Sequence, residues 1–435
     1  MSAISSKTSR GVSFAEVPRL VKGLIYLSIP MNIAGGFFGI YVGVFLLDLG
    51  VNAEIVGLAL AANGATMVLS AIPLGIVSDR KGRKVMLIFG ALLFSPILLI
   101  LAFTTETLWL IVAGILGGIS EAAFLSTWNA MIADRTPSEA RNAAFSLSFI
   151  VGTTTSGVGF ALPLAFPTLA AWTGLSIATL HRDSLLIFAA VAAATPIGLS
   201  YLLRGYVERL RPRAARPVGR PLRDRLRALR SRLYELRLLL LFSSVNGLVG
   251  LGAGFIIPLI GTWFRLRFGI PDSYSGPLLA VANLTMGLAG VTSARLAKRY
   301  GSVRAVVMVQ GLSTVLMFSL AIVPDPVLAG VLYIARAALM NMASPILDAY
   351  LMGLVKAEER GFASALNSII WRMPNSASTV VGGSLLYHGE YQLPFLIAGT
   401  LYAIGVSLFF GVFRAVKAKE RVPVGDASGE GTHVD

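Results

Sequence analysis

The sequence predicts an all-α membrane protein of twelve spanning helices, arranged as two parallel six-helix repeats. Three observations carry that prediction. The 435 residues are 55% hydrophobic and only 14% charged, whereas an ordinary soluble chain carries about 25% charged residues. Apolar stretches of roughly 18 or more residues, long enough to cross the hydrocarbon core of a bilayer, recur from end to end. Positive charge alternates between high and low from one connection to the next. The same composition excludes a disordered chain. The chain has no cysteine, which excludes disulfides, thiolate metal sites and cysteine nucleophiles. Its three histidines do not cluster. No metal and no cofactor is therefore expected.

The spans fall in order at 22–47, 53–77, 85–104, 107–132, 143–171 and 184–203. The second set runs 238–263, 276–296, 304–323, 327–354, 363–387 and 393–413. Period-two alternation is not sustained, so a membrane β-barrel fits poorly. With twelve spans both termini share one side. Of the 37 lysines and arginines, 32 then fall on that side. Arg182, Arg265 and Arg267 fall on the other, and Arg336 and Arg372 lie within spans. The positive-inside rule puts both termini in the cytoplasm.

The expected organisation is an N-terminal bundle 1–204, a basic cytoplasmic linker 205–235, a C-terminal bundle 236–421 and a disordered tail 422–435. The linker holds ten arginines against three acidic residues. It has almost no aromatic residues for base stacking, so nucleic acid is not an expected partner. Anionic lipid headgroups are. Residues 222–237 could form a basic interfacial helix.

The two halves repeat at one offset. Arg80 and Gly82 match Arg299 and Gly301, 219 positions on. The same offset carries Glu139, Arg141, Ala144 and Leu147 onto Glu358, Arg360, Ala363 and Leu366. Two separate loops agree without gaps, which is the mark of an internal-repeat transporter.

The first short loop reads Gly75-Ile-Val-Ser-Asp79-Arg80-Lys-Gly82-Arg83-Lys84. It closely resembles the signature of the major facilitator superfamily between spans two and three, glycine-x-leucine-alanine-aspartate-arginine-x-glycine-arginine-arginine/lysine. Val77 and Ser78 depart from it mildly. The resemblance covers essentially the whole chain. It implies a transporter that rocks two bundles about a site at the membrane midplane. It implies that Asp79 packs near the start of span eleven and that Arg83 pairs with an acid at the inner end of span four, where Asp134 stands. Gly75, Asp79, Arg80, Gly82, Arg83 and Asp134 would then latch the outward-facing state. The alternative is a tight basic turn that serves topology only. Two patterns of proton-driven drug antiporters are missing. Span four has no arginine between Trp109 and Ala122, and in span five Gly152-Thr-Thr-Thr-Ser-Gly157-Val-Gly159 has the glycines but no proline at that point.

Charges within spans are costly, about 2.5–3.5 kcal/mol each even on permissive scales, and so mark candidate sites. Glu121 sits mid-span in span four, with Gly114, Gly117 and Gly118 on its face. It could load and release a proton, or form a structural ion pair. Arg336 in span ten and Arg372 in span eleven each need an anion, because a guanidinium does not become neutral. That anion is a carboxylate such as Glu121 or Asp348, or a substrate. Asp348 reads first as a helix-terminal structural acid. Asn32 is a candidate substrate contact in span one. Trp128 could line the inner cavity or simply pack. Asp48 and Glu54 read as solvated charges flanking the turn after span one. His181 and His388 are assigned to outer loops, and His433 to the tail.

No Gly-x-x-x-x-Gly-Lys-Ser/Thr element is present, so ATP-driven pumping by this chain is unsupported. No nucleophile or metal cluster supports an enzyme. The leading expectation is a proton-coupled secondary transporter, monomeric, in a prokaryotic plasma membrane, exporting a drug or metabolite. The alternatives are uptake or exchange of an organic anion by Arg336 and Arg372, and a non-transporting sensor that keeps the fold.

Overall fold

A computed structural model describes residues 14–137, 140–205, 222–355 and 360–416. Residues 206–221, about half of the expected linker 205–235, those from 417 on, which include the expected tail 422–435, and Glu139, Glu358 and Glu359 lie outside the described residues. In the first half, α1 (Arg19–Leu27), α2 (Ile29–Ile40) and α3 (Leu46–Asp48) make one path, joined through a π-helical turn at Tyr41–Phe45. Then follow α4 (Ala53–Lys81), α5 (Arg83–Phe103), α6 (Thr107–Arg135), α7 (Arg141–Ala161), α8 (Phe166–Thr173) and α9 (Ile177–Leu202). The second half contains α10 (Leu222–Gly254), α11 (Ile260–Phe268), α12 (Asp272–Tyr300), α13 (Ser302–Ile322), α14 (Pro326–Leu354), α15 (Arg360–Tyr387) and α16 (Leu393–Phe413).

Among the described residues, 10 helical segments are long and apolar enough to cross a membrane. The twelve expected spans are thus not reproduced exactly by that test. The remaining two paths are α12 and α15, of 29 and 28 residues. We call the face carrying the starts of α1 and α5 the terminal face, and the other the distal face.

Several boundaries differ from expectation for local reasons. Span six starts at Ile177, not 184, because Ser176 caps it by accepting a hydrogen bond from the Thr179 amide. Its polar start, His181-Arg182-Asp183-Ser184, is helical. Span seven breaks between α10 and α11, where Pro258 sits and cannot donate a backbone hydrogen bond. Residues 222–237 are not a separate interfacial helix, since α10 runs unbroken from Leu222 to Gly254.

The packing repeats as the sequence does. In the first half α2 packs on α7, α4 on α6, α5 on α6 and α5 on α9. In the second half α10 packs on α15, α12 on α14, α13 on α14 and α13 on α16. The turn glycines repeat too. Gly82 and Gly301 have φ of 105° and 80°, a region that most side chains avoid.

Two seams join the halves, α4 against α15 and α7 against α12. A Cβ on Gly57 would meet the Thr379 carbonyl oxygen, and one on Gly276 the Phe160 carbonyl oxygen. These two contacts map onto each other residue by residue at the same offset. Thr262 and Gly43, themselves 219 apart, meet directly, with the Thr262 hydroxyl donating to the Gly43 carbonyl at 2.6 Å. The π-helical turn supplies that carbonyl, since its hydrogen-bond ladder is irregular there.

The apolar core shows where the halves are joined. One buried cluster near the distal face draws on both halves, including Phe37, Phe45, Leu185, Trp263, Leu320 and Phe395. Near the terminal face there are two separate clusters. One belongs to the first half, around Leu24, Leu87, Met131 and Leu199. The other belongs to the second half, around Phe242, Val306, Leu351 and Phe413. The halves are therefore welded distally and independent at the terminal face.

Candidate functional site

Mid-depth in the α4–α15 seam, three helices converge. Gly114, Gly117 and Gly118 of α6 lie against α4, where a Cβ on Gly117 would stand 2.7 Å from the Asn63 side-chain nitrogen. This close approach fits small residues at helix crossings. It brings Glu121, the next residue on that face, level with Met67 of α4. From the other half, Arg372 of α15 reaches across the seam and donates from Nη1 to the Met67 sulfur at 3.2 Å. Arg372 and Glu121, on α15 and α6 of opposite halves, attract each other electrostatically. Both are partly exposed. Among the described residues Glu121 has no direct hydrogen bond or ion pair. Two turns farther along α6 toward the distal face, Phe38, Leu60, Asn63 and Gly114 line a small, mostly apolar pocket.

Arg336 differs from the sequence expectation. Its partner is not a carboxylate. It is 4% exposed, and Nη2 donates to the Tyr402 hydroxyl at 2.7 Å. Its guanidinium carbon lies 5.5 Å from the Tyr402 ring centre, and its Nε has no partner. All of these contacts are within the second half. A phenol oxygen and its ring together take the place of an anion here, since an aromatic face attracts a cation.

The other singled-out residues are spread out. Asp348 is exposed, toward the terminal end of α14. Asn32 donates to the Ser28 hydroxyl one turn back, at 3.2 Å. Trp128 is packed: it stacks on Phe124 with ring centres 4.9 Å apart and donates to the Ser148 hydroxyl at 2.9 Å. In the signature loop, Arg83 pairs with Asp134 and also donates to the Ala130 carbonyl at 2.8 Å. Arg80 is exposed. A Cβ on Gly75 would meet nothing within 4 Å. The Asp79 side chain lies outside what is described.

Two readings are corrected. Asp48 is exposed but not a lone boundary charge: it accepts from Arg265 Nε of the other half at 2.6 Å. His181 is not in a loop. It lies in α9, has a side chain 0% exposed, and faces Asp272 of the other half. Glu54 and His388 are exposed, as expected of them.

Sequence reasoning missed Asn63, Met67, Tyr402 and Asp272. An asparagine inside an apolar span was a usable signal for Asn63. The others gain meaning only from partners more than 60 residues away.

A model of the Major Facilitator Superfamily matches residues 24–379 and 245–433. Multidrug resistance protein 1 of Bacillus subtilis (strain 168) is 24% identical over 372 residues, 83% of this chain and 88% of that protein. Multidrug resistance protein MdtG of Klebsiella pneumoniae (strain 342) is 24% identical over 371 residues, 82% of each chain. The crystal structure of the nucleoside transporter NupG superposes with a TM-score of 0.68 at 15% identity, covering 91% of this chain and 100% of that one. The last likeness speaks to the fold alone. The family match, the repeated packing and the charged residues between two six-helix halves agree: this chain belongs to the Major Facilitator Superfamily.

Proposed function

We propose that this transporter exports a small organic solute in exchange for protons, with Glu121 as the proton carrier and Arg372 as its electrostatic partner. The single observation behind this reading is the uncommitted Glu121 carboxyl facing Arg372 across the α4–α15 seam. Protonation of Glu121 removes a charge that attracts the opposite half. That changes the relative energy of the two states of the seam, which is what coupling requires. The names of the multidrug resistance relatives favour export, as does the apolar pocket beside Asn63.

In this reading the terminal face is cytoplasmic, following the arginine distribution, and the membrane is a prokaryotic plasma membrane. The shared distal core then closes the outside, and the divided cores open inward. The bundles are 1–204 and 236–421, and one chain supplies both, so a monomer suffices. Organic-anion exchange is the weaker reading. Arg336 is engaged with Tyr402 inside one half, which leaves Arg372 without a second arginine for a clamp.

The test uses protein in liposomes that enclose a pH dye. Lipophilic cations, organic anions and sugars are added under an imposed proton gradient. Substrate-dependent proton flux in the wild type, lost in Glu121→Gln, is the expected result. Flux retained in Glu121→Gln removes Glu121 as the carrier.

A further inference from the structure

The distal closure contains a buried polar bridge that the Glu121 reading does not use. His181 is in the second turn of α9, and Asp272 is the first residue of α12, in the opposite half. Their side chains are 0% and 5% exposed. His181 Nε2 lies 2.5 Å from Asp272 Oδ2, and Nδ1 lies 2.9 Å from the Ile177 carbonyl oxygen. Phe45 stacks on the imidazole with ring centres 3.5 Å apart and planes 6° apart. Phe166 meets it edge-on at 4.6 Å.

The protons of this bridge can be counted. The Ile177 carbonyl can only accept, so Nδ1 carries a hydrogen. A further hydrogen must lie between Nε2 and Oδ2, because two lone pairs do not bond. It sits either on nitrogen, as imidazolium and carboxylate, or on oxygen, as imidazole and carboxylic acid. Either way the closed bridge holds one proton more than a neutral imidazole and a free carboxylate.

The surroundings offer no other charge to replace it. Tyr41 of the π-helical turn lies 6.0 Å from the imidazole, and its hydroxyl donates to the Leu101 carbonyl. From α2 and α8 come only Phe37 and Phe166. On α9 itself Arg182 and Asp183 point outward, Arg182 over the Phe103 ring. Tyr274 of α12 is 74% exposed. Asp48 and Arg265 hold each other, and Arg267 donates to the Val323 carbonyl. Glu54 at the start of α4 is exposed, and the charged residues of α1 and α5, Arg19, Lys22, Arg83 and Lys84, lie toward the terminal face. Among the described residues Asp272 has no second charged partner. The α12 N-terminus favours a negative charge at Asp272, which keeps a carboxylate available to the imidazole. The repeat-related positions are Thr400 and Ala53, so the other seam has no such bridge.

We propose that His181 and Asp272 form a proton-binding site of the distal gate, which takes up one proton as the gate closes and releases it when the halves part. The parted pair, an imidazole and a carboxylate in water, can give that proton up. Wherever it has done so, closure requires proton uptake, so the closed-to-open ratio falls as pH rises, by up to about ten-fold per pH unit for one proton.

The chain has no native cysteine, so spin labels can be placed selectively at Leu175→Cys and Glu390→Cys. These are exposed positions in distal loops of opposite halves. Distances between the labels are measured by pulsed electron resonance on the full chain in lipid nanodiscs, from pH 5 to 9. A Glu121→Gln background removes the other candidate proton site, so the result does not depend on the coupling reading. The expected result is a ratio of short-distance to long-distance populations that falls as pH rises, by up to about ten-fold per unit. In Asp272→Asn the amide can donate to Nε2 of a neutral imidazole, so the gate should close without extra proton uptake. The short distance should persist there and its pH slope vanish. In His181→Gln the slope should also vanish. A ratio that does not change with pH before Asp272 or His181 is altered, or a slope that survives both substitutions, overturns the proposal.

Discussion

The two seams between the halves have the same backbone and different chemistry. In one, α4 approaches α15 through Gly57 and the Thr379 carbonyl; in the other, α12 approaches α7 through Gly276 and the Phe160 carbonyl. These are the same contact at an offset of 219 residues. The polar groups are not the same. The α4–α15 seam carries Glu121 and Arg372 at mid-depth. The α7–α12 seam has Asn283 donating to the Thr153 carbonyl at 3.0 Å, and the His181–Asp272 bridge beside it at the distal end. The repeat partners of Glu121, Arg372, His181 and Asp272 are Met340, Thr153, Thr400 and Ala53. Each of these four ionisable groups therefore departs from the repeat. Duplication supplies a symmetric surface between the halves, and these four charged or titratable side chains lie on one copy of it only.

The largest expected effect breaks the backbone symmetry itself. Gly57→Leu and Gly276→Leu should each push a seam apart, since overpacking costs about 1–3 kcal/mol. Substrate flux in liposomes should fall about ten-fold or more in both. Equal losses would show that the seams share the closing work, while a loss in only one would end that equivalence.

Next in size is the contrast between the two intramembrane arginines. Tyr402→Phe removes the hydroxyl acceptor of Arg336, which is buried. A loss of about 1–3 kcal/mol in stability follows from an unsatisfied buried group. It should appear in thermal melts, with the transported substrate class unchanged. Arg372→Met should do the reverse: a melting temperature close to wild type, with altered flux and an altered response to pH. If Arg372→Met instead melts early and transports normally, Arg372 is structural.

The smallest effect belongs to the partly exposed clasp between Asp48 and Arg265. Asp48→Asn should cost about 0.2–1 kcal/mol, as for other exposed pairs. A shift of only a few degrees in melting and a few-fold at most in flux is expected. A larger loss would put the clasp beside the buried bridge in importance.

Several features were readable directly in the residues. The all-helical class and the order of the spans follow from runs of apolar side chains, while 10 segments rather than twelve are long and apolar enough to cross among the described residues. The internal repeat follows from two loops at one offset, and the packing then copies it pair by pair. Glu121 and Arg372 stood out because charges inside spans are costly. His181 did not, because a polar run at the start of a span reads as a loop when its partner is unknown. Asp272 is 91 residues further along the chain. Likewise Arg336 implied an anion, and the fold offers a tyrosine hydroxyl and ring instead.

By itself the sequence determined that the chain is helical, spans a membrane many times, and consists of a duplicated unit. Those properties depend on local hydropathy and periodicity, which each segment carries alone. Only the tertiary structure decided which charges meet across the halves, and at which face the halves join. Such encounters depend on helix rotation and on close approach at Gly57 and Gly276, set by the packing of both halves together. A polar residue at the edge of a span is costly or satisfied according to what the opposite half presents to it, and no local window contains that information.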